Sequence, residues 1–161
     1  MKPDRKFLMQ HPAHFLALGF GSGLAPRAPG TFGTLAALPL WWLAERVGGS
    51  MAVVAIAAVL FFVGIWASER TSRALGVQDH GSLVIDEIAA FLLVLAATPT
   101  GAAWVVFAFV LFRLFDIWKP WPIRVADRHV KGGFGVMLDD LLAAVYAVLV
   151  LIAVQTLMVS R

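Results

Sequence analysis

Asp139 and Asp140 stand side by side in GGFGVMLDDLLAAVYAVLVLIAV, directly before a run without charge from Leu141 to Ser160. Asp86 and Glu87 repeat the arrangement in LVIDEIAAFLLVLAA. Asp116 follows a third apolar run, in FRLFDIWKPWPIRVADR. The chain has only ten acidic residues, so five at the edges of greasy segments call for a reason. Helix-end capping accounts for the two pairs, because acids in a first turn complement the helix dipole. It does not account for Asp116, which lies at the wrong end of its run; an ion pair with Arg113 or Lys119 would. If the five converge, they cannot all stay ionised without a cation. Carboxylate oxygens suit hard divalent ions, so one or two Mg²⁺ or Mn²⁺ ions are the expected partners. Paired alanines after each acid pair, in DEIAAF and DDLLAAV, would let the helices approach closely.

Basic and glycine-rich segments accompany the acids. Arg113, Asp116 and Lys119 follow at three-residue spacing, near one face of a helix that Pro120 and Pro122 should end. Arg124, Arg128 and Lys131 come next, with Trp118 and Trp121 at the expected headgroup level. Such a surface suits the phosphates of a lipid headgroup, although positive-inside topology alone would also place the cations there. The stretch GFGSGLAPRAPGTFGT reads as a loop over 19–34. It lacks the Walker spacing; it could form a nest of backbone donors for an anion or a tight re-entrant turn. His80 and His129 read as surface residues.

The elements that must hold these groups are membrane helices. Of 161 residues, 60% are hydrophobic and 14% charged, against about 25% charged in soluble domains. The start, MKPDRKFLMQHPAHF, is not expected to be a secretory signal. The absence of cysteine excludes a disulfide, a thiolate nucleophile and a Cys-zinc site. Residues 34–44 are apolar, and Val47 to Ser68 is free of charge and long enough to span. The uncharged run from Ile88 to Phe112 is interrupted at 98–101 by TPTG, so it reads as a helical hairpin with short arms. Turning the chain at Gly48-Gly49 and again at 98–101 gathers the polar segments on one side. Of 13 Lys and Arg only Arg46 and Arg161 then lie opposite, and of the acids only Glu45. By the positive-inside rule the charged face is cytoplasmic. The expectation is one all-α domain over 1–161: a membrane bundle of about five helices, some short or re-entrant, N-terminus in and C-terminus out.

Four blocks together resemble the phosphatidylglycerophosphatase A family: GFGSGLAPRAPGTFGT, DHGSLVIDEIAAF, FRLFDIWKPWPIRVADR and GGFGVMLDDLLAA. The resemblance covers most of the chain from Phe15 to Ala144. It implies a Mg²⁺-dependent phosphatase of bacterial inner membranes that converts phosphatidylglycerophosphate to phosphatidylglycerol at the cytoplasmic face. The family's acidic positions fall on Asp86, Glu87, Asp116, Asp139 and Asp140, with Asp79 at a further one. Its basic positions fall on Arg113, Lys119 and Arg128, and its glycine-rich loop on Gly21, Ser22, Gly23, Pro29, Gly30 and Thr31. Ala90 and Ala144 stand where the family often has glycine; no role is carried onto Arg27 or His129.

On this reading the five acids hold the metal, and Asp86, Asp116 and Asp139 are essential to turnover. Arg113 and Lys119 stabilise the phosphoryl oxygens, while Gly21, Ser22, Gly23, Gly30, Thr31 and Arg128 bind substrate. A carboxylate acts either as general base or as nucleophile. The partners expected are a phospholipid and the membrane, with no nucleic acid. A metal-dependent headgroup transferase and a cation transporter are the rival readings. The motifs of histidine lipid phosphatases, of D-x-D aspartyl phosphatases and of alcohol phosphotransferases are absent.

Overall fold

The computed structural model describes residues 2–160, and the regular elements among them are all helices, without strands; Arg161, assigned above to the far side, lies outside. Two short helices open the chain. α1 (Arg5–Gln10) is capped by the Asp4 carboxylate, which accepts from the Phe7 N–H at 2.8 Å. α2 (Pro12–Ala17) is capped by His11 Nδ1, which accepts from Ala13 N–H at 3.0 Å. A 3-10 helix (Gly19–Leu24) follows. Then come α3 (Pro29–Leu75), α4 (Ile85–Ala96), α5 (Ala102–Trp118), α6 (Ile123–His129) and α7 (Gly132–Val159).

The supposed loop over 19–34 is therefore divided: 19–28 is irregular around its 3-10 turns, with Gly19, Phe20, Gly21 and Ala28 in the left-handed region, and 29–34 is α-helix. Proline is tolerated in a first helical turn, where its missing N–H has no partner to lose. Pro29 thus starts α3 where the sequence reading took Pro-Gly as a break. At the other end α3 runs on through the polar ERTSRAL segment and stops at Gly76, whose φ of +69° is the left-handed stop typical of glycine.

α3 is two arms joined at Gly48-Gly49, where the backbone leaves helical geometry (Gly49 φ +63°). A Cβ placed on Gly33 would lie 2.6 Å from Val84, and one on Gly64 would lie 3.5 Å from Ile85. A straight helix would hold these glycines roughly 46 Å apart. Both arms thus end at the same level, and the chain reverses at the glycine pair as the sequence suggested. α4 and α5 form the second reversal, across Ala97–Gly101. Glu87 and Arg113 meet at its open end, 3.8 Å apart.

α4 is the central post, with nearly every residue buried. Phe91 stacks on Phe112 with centroids 5.6 Å apart and meets Phe109 edge-on at 5.9 Å. Ala37, Val53, Ala57, Ala143, Ala147 and Leu151 close around this post from both arms of α3 and from α7. Ala90 and Ala144 are 3% and 1% exposed, so their methyls are absorbed in the core. α7 runs parallel to α4: Asp140 lies beside Asp86 and Glu87, and Gln155 Nε2 reaches Ala97 O at 3.4 Å.

Among the described residues two helices, α3 and α7, are long and apolar enough to cross a membrane. The most apolar window of each is only 22% buried, and Phe62, Val106 and Leu149 point outward with more than half their surface exposed. A soluble core helix would hide such a stripe. This bundle presents it, as a protein solvated by lipid does.

Candidate active site

The acids converge at one end of the bundle. α4 delivers Asp86 and Glu87 from its first turn, and α7 delivers Asp139 and Asp140 from its third. Oxygens of Asp86, Glu87 and Asp140 lie within 4.8 Å of one another. Asp86 and Asp140 are buried and Glu87 is half-buried. Asp86 Oδ1, Glu87 Oε2 and Asp140 Oδ2 are shielded from solvent and have no hydrogen-bond partner. Buried polar atoms normally find partners. Three orphaned, mutually repelling carboxylate oxygens in one small space fit a divalent cation, which would supply the missing contacts.

The other two acids are held by cations. Arg113 Nη1 bonds Asp116 Oδ2 at 2.5 Å across one turn of α5 and faces Glu87 Oε1 at 3.8 Å. It also donates to Thr34 Oγ1 at 3.4 Å, and that hydroxyl donates in turn to Gly30 O at 2.9 Å. Arg113 therefore ties α3, α4 and α5 together within the cluster. Lys119 does not continue the α5 face, as three-residue spacing had suggested. It caps the helix in the left-handed region (φ +47°) and turns to α6 and α7. There Nζ donates to Asp127 Oδ1 at 2.8 Å and to Asp139 Oδ2 at 2.5 Å. Burial works against the charge on Lys119, but these two hydrogen bonds outweigh it and raise its pKa above the usual lysine value.

Asp139 faces outward as well, onto a cavity of about 290 Å³ that Asp79, Asp127, Arg128 and Lys131 also line. This pocket is polar and adjoins the acid triad through the neighbouring residues 139 and 140. Arg128 is exposed and lines the same cavity.

The glycine-rich segment divides. Gly30 belongs to the site: a Cβ there would strike Glu87 Oε1 and sit 3.1 Å from the Arg113 guanidinium. Thr31 lies in the first turn of α3, its N–H bonded to Ala28 O at 3.0 Å. The neighbours of Gly21, Ser22 and Gly23 lie elsewhere. Ser22 Oγ donates to Gly19 O at 2.8 Å, a Cβ on Gly21 would meet only Leu8, and one on Gly23 would overlap the Ser82 carbonyl. That half of the segment braces the residues just before α4. His80 accepts from Ser82 N–H at 3.2 Å and His129 bonds Val125 O at 2.8 Å, so both serve local turns.

Two site residues escaped the sequence reading. Thr34 is a polar residue in an apolar run, one helical turn beyond Gly30. Asp127 is the lone acid in the basic stretch after Pro122, and its carboxylate is the second anchor of Lys119.

Residues 15–155 match the family model described as Phosphatidylglycerophosphatase A. The chain is 45% identical over 154 residues to the Phosphatidylglycerophosphatase A of Haemophilus influenzae, covering 95% of this chain and 94% of that one. It is 45% identical over 138 residues to the protein of that name from Escherichia coli K12, covering 85% and 80%. A Bacteroides thetaiotaomicron protein provisionally named a phosphatidylinositol-3-phosphatase is 40% identical over 146 residues, covering 86% and 90%. No solved structure matches the chain.

Proposed function

The chain belongs to the phosphatidylglycerophosphatase A family, and from that premise we propose that its acid cluster hydrolyses the terminal phosphate of phosphatidylglycerophosphate, leaving phosphatidylglycerol and phosphate. The enzyme is a phosphatase acting on a phospholipid. One observation carries the assignment of its site: the buried Asp86, Glu87 and Asp140 carboxylates with orphaned oxygens, set against a polar cavity that Asp139 shares.

Asp86, Glu87 and Asp140 would hold Mg²⁺, with Asp116 and Asp139 completing the acidic shell. Bound there, the ion supplies positive charge against the phosphoryl oxygens as negative charge grows on them. The protein's own groups do the rest. Arg128 draws the phosphate into the cavity, and Lys119 fixes Asp139 at its wall. Asp139 takes the proton from an attacking water; the water oxygen adds to phosphorus as the bond to the glycerol oxygen breaks. That oxygen takes a proton from solvent in the cavity, to which Asp139 gives up the one it accepted, and leaves as the free hydroxyl of phosphatidylglycerol. Arg113 positions Glu87 and Asp116, and Gly30 leaves room for both.

The setting is a bacterial inner membrane. The two arms of α3, then α4, α5 and α7, make five passes, the hairpin arms short, with the acids at the cytoplasmic face by the excess of Lys and Arg there. The lipid's acyl chains stay in the bilayer while its headgroup reaches the acids.

The test is phosphate release from phosphatidylglycerophosphate by the purified protein in detergent, with Mg²⁺ or with EDTA. Phosphatidylinositol 3-phosphate serves as the comparison lipid. Release that needs Mg²⁺, favours phosphatidylglycerophosphate and vanishes in Asp139→Ala is the expected result. Full activity in EDTA or in Asp139→Ala would overturn the site.

A further inference from the structure

A second groove, of about 720 Å³, opens where α2, the end of α3 and the first turn of α7 meet. None of the five clustered acids lines it. Its charge is lopsided: Arg70, Arg73 and Lys131 face a single acid, Glu69. Glu69 is already engaged, by Arg73 at 2.7 Å and by the Gly133 N–H at 2.7 Å. Arg70 and Lys131 have no carboxylate partner among the described residues. Two exposed cations alone would say little, since solvent accommodates them. The groove adds an aromatic edge. Trp66 and Phe134 also line it, 49% and 46% exposed.

The order of these residues is the same on both walls. On α3, Trp66 lies in the last turn of the uncharged run and Arg70 follows one helical turn outward. On α7, Phe134 lies in the first turn and Lys131 sits just outside it. Each helix therefore sets an aromatic ring toward the bilayer and a cation toward water, at matching depth. That is the polarity of a phospholipid at the interface, with its phosphate above and its first methylenes below.

We propose that this groove is a second, non-catalytic site for one anionic phospholipid of the bilayer. The phosphodiester lies between Arg70 and Lys131, and the proximal acyl chain lies against Trp66 and Phe134. The proposal rests on the membrane placement given above but not on the hydrolytic reading. The surplus of positive charge selects an anionic headgroup over a zwitterionic one. Lys131 and Gly132 also line the 290 Å³ cavity, so a lipid held here borders the approach to the acids.

Native mass spectrometry of the full chain in nonionic detergent tests this, with dioleoylphosphatidylglycerol or dioleoylphosphatidylcholine added. One phosphatidylglycerol should be retained in preference to phosphatidylcholine, by the wild type and by Asp139→Ala alike. Arg70→Glu should weaken retention about tenfold, since reversing the charge both removes one attraction to the anionic headgroup and adds a repulsion. Arg70→Lys should keep it, and Trp66→Ala should lower it. Equal retention of phosphatidylcholine, or wild-type retention by Arg70→Glu, would overturn the site. So would displacement of the lipid by millimolar inorganic phosphate, which would make the groove a site for free anions. A protein that retains the lipid yet releases no phosphate in the activity assay would count against the hydrolytic reading alone.

Discussion

Asp86, Glu87 and Asp140 face one another with buried oxygens that nothing among the described residues satisfies. Like charges at such separations destabilise the fold until a cation joins them. Stability should therefore depend on Mg²⁺ in a way that one substitution reverses. In EDTA, Asp140→Asn should melt higher than the wild type, because it removes one of three repelling charges. With Mg²⁺ at a hundred times its dissociation constant, the wild type should gain about 2.7 kcal/mol, and Asp140→Asn should gain far less and be inactive. Thermal unfolding in detergent measures both; an Asp140→Asn protein that melts lower in EDTA would mean the triad is satisfied without metal. The acids themselves were legible because carboxylates are rare in so apolar a chain and each sits at the end of a run. Their cationic partners were only half legible. The Arg113–Asp116 pair follows from helix spacing, but the reach of Lys119 to Asp127 and Asp139 depends on a left-handed residue at the end of α5 that no periodicity announces.

The helices hold the site through close contacts that glycine makes possible. Gly133 opens α7 directly against α3: a Cβ there would collide with the Ile65 carbonyl and lie 2.9 Å from Glu69 N. Backbone cannot step aside, so Gly133→Ala should cost roughly 1–3 kcal/mol or more. It should also pull the Glu69 carboxylate off the Gly133 N–H that it caps. Gly64→Ala would crowd the end of Met137, at 2.6 Å from Sδ and 2.7 Å from Cε, and would touch Ile85 at an ordinary 3.5 Å. A thioether can rotate away, so its cost should stay under about 1 kcal/mol. Comparing the two variants by chemical unfolding in detergent checks the approach of α7 to α3; equal costs would refute it. The same junction carries a pH response. His14 on α2 is buried, stacked on Phe7 at 4.2 Å and 3.0 Å from Thr71 Oγ1. Burial, with the charges of His11 and Arg70, lowers its pKa below the usual 6.5. The unfolded chain then binds more protons than the folded one between the two values. Docking of α1 and α2 should be full above pH 6.5 and lost progressively as pH falls through the folded value. The melting temperature of the wild type should drop more between pH 7.5 and pH 5 than that of His14→Gln. Reversal at Gly48-Gly49 and at 98–101 could be read from the turn residues. The helical start at Pro29 could not, because proline begins a helix as readily as it breaks one.

At the scale of the whole molecule, the sorting of charge was the clearest signal in the sequence, because moving Lys or Arg across a bilayer is costly and membrane proteins tend to keep them on one side. Length is the part that sorting leaves open. α4 has 12 residues, roughly 18 Å of helix, against a hydrocarbon core of about 30 Å. The hairpin of α4 and α5 can therefore cross only if the bilayer thins around it; otherwise its tip at 98–101 stays buried in the membrane. The chain has no cysteine, so single cysteines at exposed positions report their side without background. An impermeant maleimide applied to spheroplasts should label Ser50→Cys and Ser160→Cys and spare Gln78→Cys and His129→Cys; inverted vesicles should give the opposite pattern. Thr100→Cys, exposed at the tip of the hairpin, decides the remaining question. Labelling from the spheroplast side means that α4 and α5 cross and that the membrane yields to them. Labelling from neither side, with Ser50→Cys and Ser160→Cys still reactive, means a re-entrant hairpin held by packing of α4 against α3 and α7. Labelling from the inverted side would contradict the five-pass arrangement. It would place the hairpin tip on the face that carries the acids, where a central post anchored at Asp86 and Glu87 could not also reach.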